Sequence, residues 1–512
     1  MAPALRFESE LHRFYGERGY APVWLSPTNR AGRIDELLAA FRSADLDGLR
    51  SDEYGAADVA WMFTSPGPLS PTALAEVELY LSDAFLRLAH DLSRGRVDPL
   101  GLVGEWSGAR EPFDAVAVLK RASLPSSASS ALDALRPSHP QYGALRDALA
   151  FLRGGEDWVR VPSGETLKVG DVDGRVVSVR ERLVQSGDLA TRGAPSADLA
   201  LFDPVLEDAV RAFQRRHGFD ADGLVGPETL SALNVPASER ALQVAANMER
   251  WRWLPNDLGD RRVVVNVPDF SVTLEEGPDA MPVRLRAIVG RTDRETPTFS
   301  STIESFSLAP YWNVPENLAR QDILPSIRAD TMYLDRAGMT VIDLRSGELV
   351  DGRSLDWAEI SDDEFLARYR LRQEPGPANS LGDLRIAFPN PYTVFLHDTP
   401  ARSLFEGSSR AFSSGCIRVE RSFELLDWLL AGDPEWTQER ITEALEAGEE
   451  RSSRIREPVP IHVLYLTALV EEDGRLGFRP DVYGLDAALE RALMSAADSD
   501  SPIAQPMIEP CS

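Results

Sequence analysis

The sequence predicts a multidomain α+β protein, with a helical N-terminal half and a mainly β C-terminal part that carries an insertion. Three observations predict this. The 512 residues exceed what one hydrophobic core organises, and at about 150 residues per domain they suggest roughly three domains. Residues 1–160 place apolar side chains at three- and four-residue steps, the period of a helix with one packed face. From about residue 259, apolar and polar residues alternate between Pro and Gly punctuation, the period of half-buried strands.

Composition sets further bounds. With 43% hydrophobic and 26% charged residues, the chain has a globular balance that excludes wholesale disorder. Lys+Arg number 54 against 81 Asp+Glu, a net charge of −27. Such a surface repels phosphate backbones and anionic headgroups, so nucleic acid and acidic membrane are excluded as partners. No apolar run approaches the roughly 20 residues that cross a bilayer, so no transmembrane segment is predicted.

Residues 1–167 read as a helical scaffold. The clearest helix runs from Pro71 to Leu92, with Leu74, Val77, Leu81, Phe85, Leu88 and Leu92 on one face. Shorter patterns occupy Gly32 to Arg42 and Tyr142 to Arg153, and breaks such as TSPGPLSPT and LPSSASS separate them. Nothing in this part has catalytic spacing. Residues 168–235 form a compact helical unit. Its middle helix carries Val205, Ala209, Phe213 and His217 at helical steps, behind an Asp203 N-cap and a first-turn Pro204. Gly223 and Gly226 are expected to take positive φ in the tight loop before Pro227. His217, followed by Gly218, reads as a helix-end residue and not a metal ligand.

Residues 236–258 are a helical connector returning to the scaffold and ending in ERWRWLP. A β domain is expected over 259–484. It contains the period-two segments RRVVVNVPDFSVTLE, PVRLRAIVG and STIESFSLAPYWNVP, then LGDLRIAF, PYTVFLHD, a helix from Ser422 to Leu430, and PVPIHVLYLTALV. Residues 331–377, with a helix at Asp362 to Tyr369, interrupt the strand pattern and read as a capping insertion and candidate lid. Residues 485–512 read as a C-terminal helix and a disordered tail.

Chemistry concentrates in one stretch. His12, His90, His139, His217, His397 and His462 form no zinc-type spacing, there is no Cys-x-x-Cys, and no Gly-rich loop leads to Lys-Ser/Thr. No metal and no cofactor are therefore expected. Only two cysteines occur, Cys416 and Cys511, too few for a disulfide framework. FLHDTPARSLFEGSSRAFSSGCIRVE ends an apolar strand on His397 and places Cys416 nineteen positions later in a Ser-Ser-Gly-Cys turn. A free thiol is only a few per cent ionised at neutral pH, so a nucleophilic cysteine needs a base or positive potential nearby. His397 is the near candidate for that base. Gly415 would let the amides of Gly415 and Cys416 point at one oxygen, as an oxyanion hole requires. From the residues alone, a packed thiol and a structural His at a strand end remain the competing reading.

Two resemblances narrow the choice. Phe213-Gln214, Asp222-Gly223, Gly226-Pro227, Thr229 and Leu233 resemble the signature of the three-helix peptidoglycan-binding domain, which implies cell-wall association. His397-Asp398-Thr399-Pro400 and Ser413-Ser414-Gly415-Cys416-Ile417-Arg418-Val419 resemble the active-site motif of L,D-transpeptidases with the YkuD catalytic domain. The likeness extends upstream through YWNVPENLARQDILP and RQEPGPANSLGDLRIAFPNPY, and the domain order is similar to that of the large YcbB-type subclass. Ser414 stands where most members of the wider family have His.

This resemblance implies acyl transfer through a thioester. Cys416 would be the nucleophile, His397 the general acid/base, and the backbone carbonyl of Asp398 the group that orients the imidazole. Arg418 is a candidate for meeting a substrate carboxylate, with a structural ion pair as the alternative. Ser414, Phe395, Tyr392 and Trp312 are further substrate-binding candidates, the aromatic three as cleft wall. Peptidoglycan stem peptides and glycan are the implied partners, with other cell-wall enzymes beside them, and carbapenems the implied acylating inhibitors. The implied reaction makes 3-3 cross-links; water, a D-amino acid or a protein amine as acceptor would give carboxypeptidase, exchange or anchoring activity. A periplasmic location follows, so the lack of an export signal in MAPALRFESELHRFYGERGY reads as truncation.

Other cysteine chemistries fit less well. A papain-like peptidase has its Cys before its His, the reverse of the order here. A phosphatase needs Arg six residues past its Cys, where Ser422 stands. The non-enzymatic alternative is a wall-binding structural protein.

Overall fold

A computed structural model describes residues 5–55, 70–103, 112–155, 157–190, 198–277, 280–330 and 332–495. They divide into two compact units, Met1–Asp257 with Leu466–Ser512, and Leu258–Tyr465. The expected tail beyond residue 495, with Cys511, lies outside the described residues.

In the first unit, helix Pro71–Arg94 starts where the Ser70 hydroxyl accepts the Ala73 amide and Pro71 takes the first helical position. Leu81, Phe85, Leu88 and Leu92 are buried with helices Glu8–Glu17, Arg30–Arg42, Ala115–Ala122 and Ala128–Asp133 in one apolar cluster. Leu74 and Val77 pack at its margin. Glu78 is buried on the same helix, and its carboxylate accepts the amides of Val23, Trp24 and Leu25 and the Tyr15 hydroxyl. That satisfied charge fastens the first segment of chain to the central helix.

A second cluster joins helices Arg175–Gln185, Pro204–Arg216 and Pro227–Leu233. Asp203 caps Pro204–Arg216 through the Leu206 amide at 2.9 Å. The buried face of this helix is Leu206, Ala209, Val210 and Phe213, whereas Val205 is 44% exposed. The expected stripe is thus displaced by one residue at its start, because the buried face is centred on Leu206, Ala209, Val210 and Phe213 and Val205 falls outside it. Gly223 has φ +80°, as expected, but Gly226 has φ −82° and ψ −175°. Gly226 is an extended N-cap residue and needs no left-handed conformation. Gln214 explains the rest of the signature: its amide group donates to Asp222, Leu224 O and Thr229 and accepts the Gly223 amide. His217 caps the helix, stacks on Phe213 and bonds Phe213 O through Nδ1 at 2.8 Å.

Helix Ala237–Trp253 returns to the scaffold, where Glu249 and Arg252 form a fully buried ion pair. Arg252 also donates to Asp47 O and the Tyr142 hydroxyl. The same helix receives the chain after Tyr465. The Thr467 amide donates to Asn247, Asp486 pairs with Arg250, and Leu489 of helix Leu485–Ser495 packs against Trp253. Residues 466–484, expected in the β domain, therefore belong to the first unit. Uninterrupted alternation through PVPIHVLYLTALV hid the break, because Tyr465–Thr467 leave the sheet between two segments of strand character.

The second unit contains β1 (Arg261–Asn266), β2 (Ser271–Glu276), β3 (Val283–Gly290), β4 (Phe299–Leu308), β5 (Trp312–Asn313), β6 (Met339–Asp343), β7 (Leu349–Val350), β8 (Tyr369–Gln373), β9 (Leu384–Ala387), β10 (Leu396–His397), β11 (Ala411–Ser413), β12 (Ile417–Val419) and β13 (Arg451–Leu464). Nine strands run in the order β11-β3-β12-β10-β9-β4-β13-β1-β2, and the pairing of β2 with β3 closes eight of them into a barrel, with β11 attached to the end of β3. Inward residues such as Val263, Val272, Leu285, Ile303, Leu396 and Ile461 are at most 1% exposed. The period-two alternation has this barrel interior as its cause.

β5, β8, β6 and β7 make a separate four-stranded sheet. Its core includes Val341, Trp357, Phe365 and Leu371, and also Val314, Ala319, Ile323, Leu324 and Ile327. The insertion therefore begins well before the expected residue 331. Segment 314–330 packs its apolar side chains there. Helix Asp362–Arg368 opens with a reciprocal Ser361–Glu364 capping box and ends where Tyr369 enters β8.

Candidate active site

Strands β9, β10 and β12 lie side by side and fix the candidate site through their register. Leu396 stands opposite Ile386 and Ile417, and His397 opposite Arg385 and Arg418. Successive side chains leave a strand on opposite faces. Leu396, Ile386 and Ile417 enter the buried core, so Arg385, His397 and Arg418 form a row on the other face. Phe395 and Cys416 immediately precede β10 and β12, two residues before His397 and Arg418, and the Ile417 amide bonds Phe395 O at 3.1 Å. The pairing of parallel strands thus puts Cys416 and His397 on one face, at register positions two residues apart.

His397 is 5% exposed and donates from Nδ1 to Asp398 O at 2.5 Å. This bond puts the ring proton on Nδ1, and the backbone of Leu381 also bonds the imidazole. Burial, then the nearby Arg418 guanidinium, push the imidazole down to about 3. Burial pushes the half-buried Cys416 thiol up to about 11, against opposing help from a backbone bond at Phe395 and from Arg385 and Arg418. The resting pair is therefore a neutral thiol and a neutral imidazole. Cys416 Sγ lies 3.9 Å from Thr393 O, and Thr393 holds a φ of +55°, uncommon for a residue with a branched side chain.

The turn before Cys416 is braced by a segment that nothing in the local sequence pattern singles out. Arg291 N–H donates to Ser413 O, Thr296 Oγ1 donates to Gly415 O at 2.9 Å, and Arg294 donates to Ser414 Oγ at 3.2 Å. Arg294 also pairs with Asp322 of the insertion's first helical segment. All three residues ahead of Cys416 are thereby held by the β3–β4 connection. Gly415 has φ +110°, which only glycine adopts without strain. The expected oxyanion pair is only partly available: the Gly415 amide donates to Ser413 Oγ at 3.1 Å, and Ser413 Oγ in turn donates to Cys416 O. Gly415 has to give up this bond before its amide can meet an oxyanion.

The remaining candidates divide. Phe395 meets His397 edge-on at 5.6 Å, and the Arg385 guanidinium lies 4.7 Å from its ring centre. Asp398 turns its carboxylate away from the imidazole to accept from Ser422 Oγ, the Asp383 amide and Arg402. Tyr392 packs on Phe299, with ring centres 5.3 Å apart. Trp312 goes to the margin of the insertion's apolar cluster, so burial in that small core accounts for it. Arg418 forms no ion pair among the described residues, and its buried Nε has no hydrogen-bond partner; the structural ion pair weighed as its alternative role is not present. Burial lowers its pKa.

A closed barrel with a capping sheet, a Cys and a His on one face of adjacent strands and two arginines without ion-pair partners among the described residues define a candidate acyl-transfer centre. Comparison with known families gives the class. Residues 260–436 match the model of the L,D-transpeptidase catalytic domain (YkuD), residues 173–233 that of the "Putative peptidoglycan binding domain", and residues 9–149 the "Scaffold domain". The chain carries a YkuD L,D-transpeptidase catalytic domain together with a peptidoglycan-binding domain.

Individual relatives are similar over part of their length. A Haemophilus influenzae protein named "Putative L,D-transpeptidase" is 34% identical over 250 residues, 49% of this chain and 49% of its own. A Mycobacterium tuberculosis protein named "N-acetylmuramoyl-L-alanine amidase CwlM" is 38% identical over 81 residues, 14% of this chain and 20% of its own. The chain thus spans about half the length of the first relative and a fifth of the second.

Proposed function

We propose that this chain is a peptidoglycan L,D-transpeptidase of the large YcbB-type subclass, working in the periplasm and forming 3-3 cross-links. The observation that supports the reading is the β10–β12 pairing, which puts Cys416 and His397 on one face of adjacent strands, with the imidazole Nδ1 already bonded to Asp398 O. Cys416 Sγ attacks the carbonyl between the third-position diamino acid and the terminal D-alanine of a tetrapeptide stem. The thiol proton passes to His397 Nε2 and then to the departing D-alanine nitrogen as the C–N bond breaks, leaving a thioester. The amine of a second stem attacks that thioester. His397 takes the amine proton and returns it to sulfur as the C–S bond breaks.

Both groups are neutral at rest, so the proton moves within a desolvated site as substrate arrives, and no stable ion pair waits for it. The cations of Arg385 and Arg418 favour negative charge developing on sulfur. The peptidoglycan-binding domain supports the choice of substrate.

The test incubates the protein with disaccharide-tetrapeptide, following muropeptide products and intact protein mass. The expected result is a dimer linked between third-position residues, released D-alanine and an acyl adduct at Cys416, all lost in Cys416→Ala. Carbapenem exposure should add one drug mass at Cys416. Absence of dimer, free D-alanine and adduct would overturn the enzymatic reading. Free D-alanine with tripeptide and no dimer would make the acceptor water.

A further inference from the structure

Arg385, on β9, and Arg418, on β12, flank His397 from both sides at the same register position. Neither pairs with a carboxylate among the described residues. The contrast within the same domain is plain: Arg286 pairs with Glu420, Arg294 with Asp322 and Arg402 with Asp398. Acids outnumber bases heavily in this chain, so two cations left unpaired beside a buried histidine are not accounted for by supply. Arg418 Nε is buried with no acceptor, a cost that folding alone does not recover. Arg385 rests on the Phe395 ring, which holds its planar group over the face that carries Cys416.

We propose that Arg385 and Arg418 form a carboxylate clamp that recognises the free C-terminal carboxylate of the leaving D-alanine. This rests on the transpeptidase reading and specifies which group of the donor is read. His397 delivers its proton to the D-alanine nitrogen, and the carboxylate hangs from the next carbon. Neighbouring strands are about 4.8 Å apart, so a carboxylate whose nitrogen faces His397 is within reach of guanidinium groups on either side. Guanidinium–carboxylate bonds are charge-assisted and directional. A stem extended by a fifth residue replaces that carboxylate with a neutral amide and leaves both cations unpaired. The clamp therefore accounts for the tetrapeptide donor of the transpeptidase reading. It also positions the scissile bond against Cys416, and Arg385 is a specificity residue that no motif around the cysteine reveals.

The test separates the clamp from the chemistry. In Cys416→Ala protein, calorimetric titration compares the tetrapeptide with the same peptide carrying a C-terminal amide. The free acid should bind about tenfold more tightly or better. Adding Arg385→Gln should bring the two ligands to equal affinity, Arg418→Gln should do the same, and Arg385→Lys should retain part of the preference. Thermal melts check that each variant is folded. Equal binding of acid and amide before any arginine change would overturn the clamp. So would an Arg385→Gln that weakens both ligands alike, or a preference that follows amidation of the third residue's free carboxyl instead. If the acid preference holds while the unmodified protein forms no acyl adduct, the clamp stands and the transpeptidase reading fails.

Discussion

Cys416 and His397 share one face of adjacent strands, where burial disfavours the charged form of each, and the signs of their shifts make that testable. A thiol pushed up to about 11 stays protonated through neutral pH, and only the thiolate alkylates. Iodoacetamide labelling of the resting protein, followed by mass, should therefore be slow at pH 7–8 and accelerate about tenfold per pH unit toward 11. A plateau near the ordinary thiol value would contradict the burial argument. Arg418→Gln removes a nearby positive charge, so it should shift the labelling curve further to alkaline pH. Cys416, His397 and Gly415 were legible because they sit in one short stretch with a recognisable motif. Arg385, Arg294 and Thr296 were not, since they act through strand register and a turn from elsewhere in the chain, and their own neighbours in sequence carry no mark of it.

Helix Ala237–Trp253 shows what an element contributes beyond its periodicity. Its pattern announced a helix, but not that nearly every side would be covered or that Glu249 and Arg252 would be sealed together with no exposure. Glu249 also accepts the Val97 amide at 2.7 Å. Removing one partner of a buried pair strands the other charge, which costs about 3–5 kcal/mol. Glu249→Ala should lower unfolding stability by that amount in denaturant titration, whereas an exposed pair such as Arg50–Asp52 should matter little when broken. The capping insertion teaches the complementary lesson. Its start lies earlier than the expected residue 331, because segment 314–330 has no period of its own that marks it, while its apolar side chains find their core in a separate sheet.

At the scale of the whole molecule, the charge of −27 bears on the proposed encounter with peptidoglycan, which is itself anionic. Long-range repulsion between the two is screened once the Debye length falls to about 10 Å near 0.1 M salt. Co-sedimentation with purified sacculi should strengthen from low salt to about 0.15 M. Cys416→Ala should leave it unchanged, because the peptidoglycan-binding cluster contains none of the residues around the thiol. Weakening with added salt would mean that local cations dominate the encounter. The two compact units also place residues 466–495 differently from their sequence pattern: they belong with the first unit.

The sequence by itself determined the class of each region, the helical and strand periods, the cap at Asp203, and the Cys–His motif, because these depend on residues close together along the chain. Tertiary structure alone decided the barrel closure through β2 and β3, the true limits of the insertion and of the β domain, the engaged state of the Gly415 amide, and the row Arg385–His397–Arg418. Each of these depends on which strand lies beside which, and pairing between distant segments is set by the packing of the whole core, which no local pattern encodes.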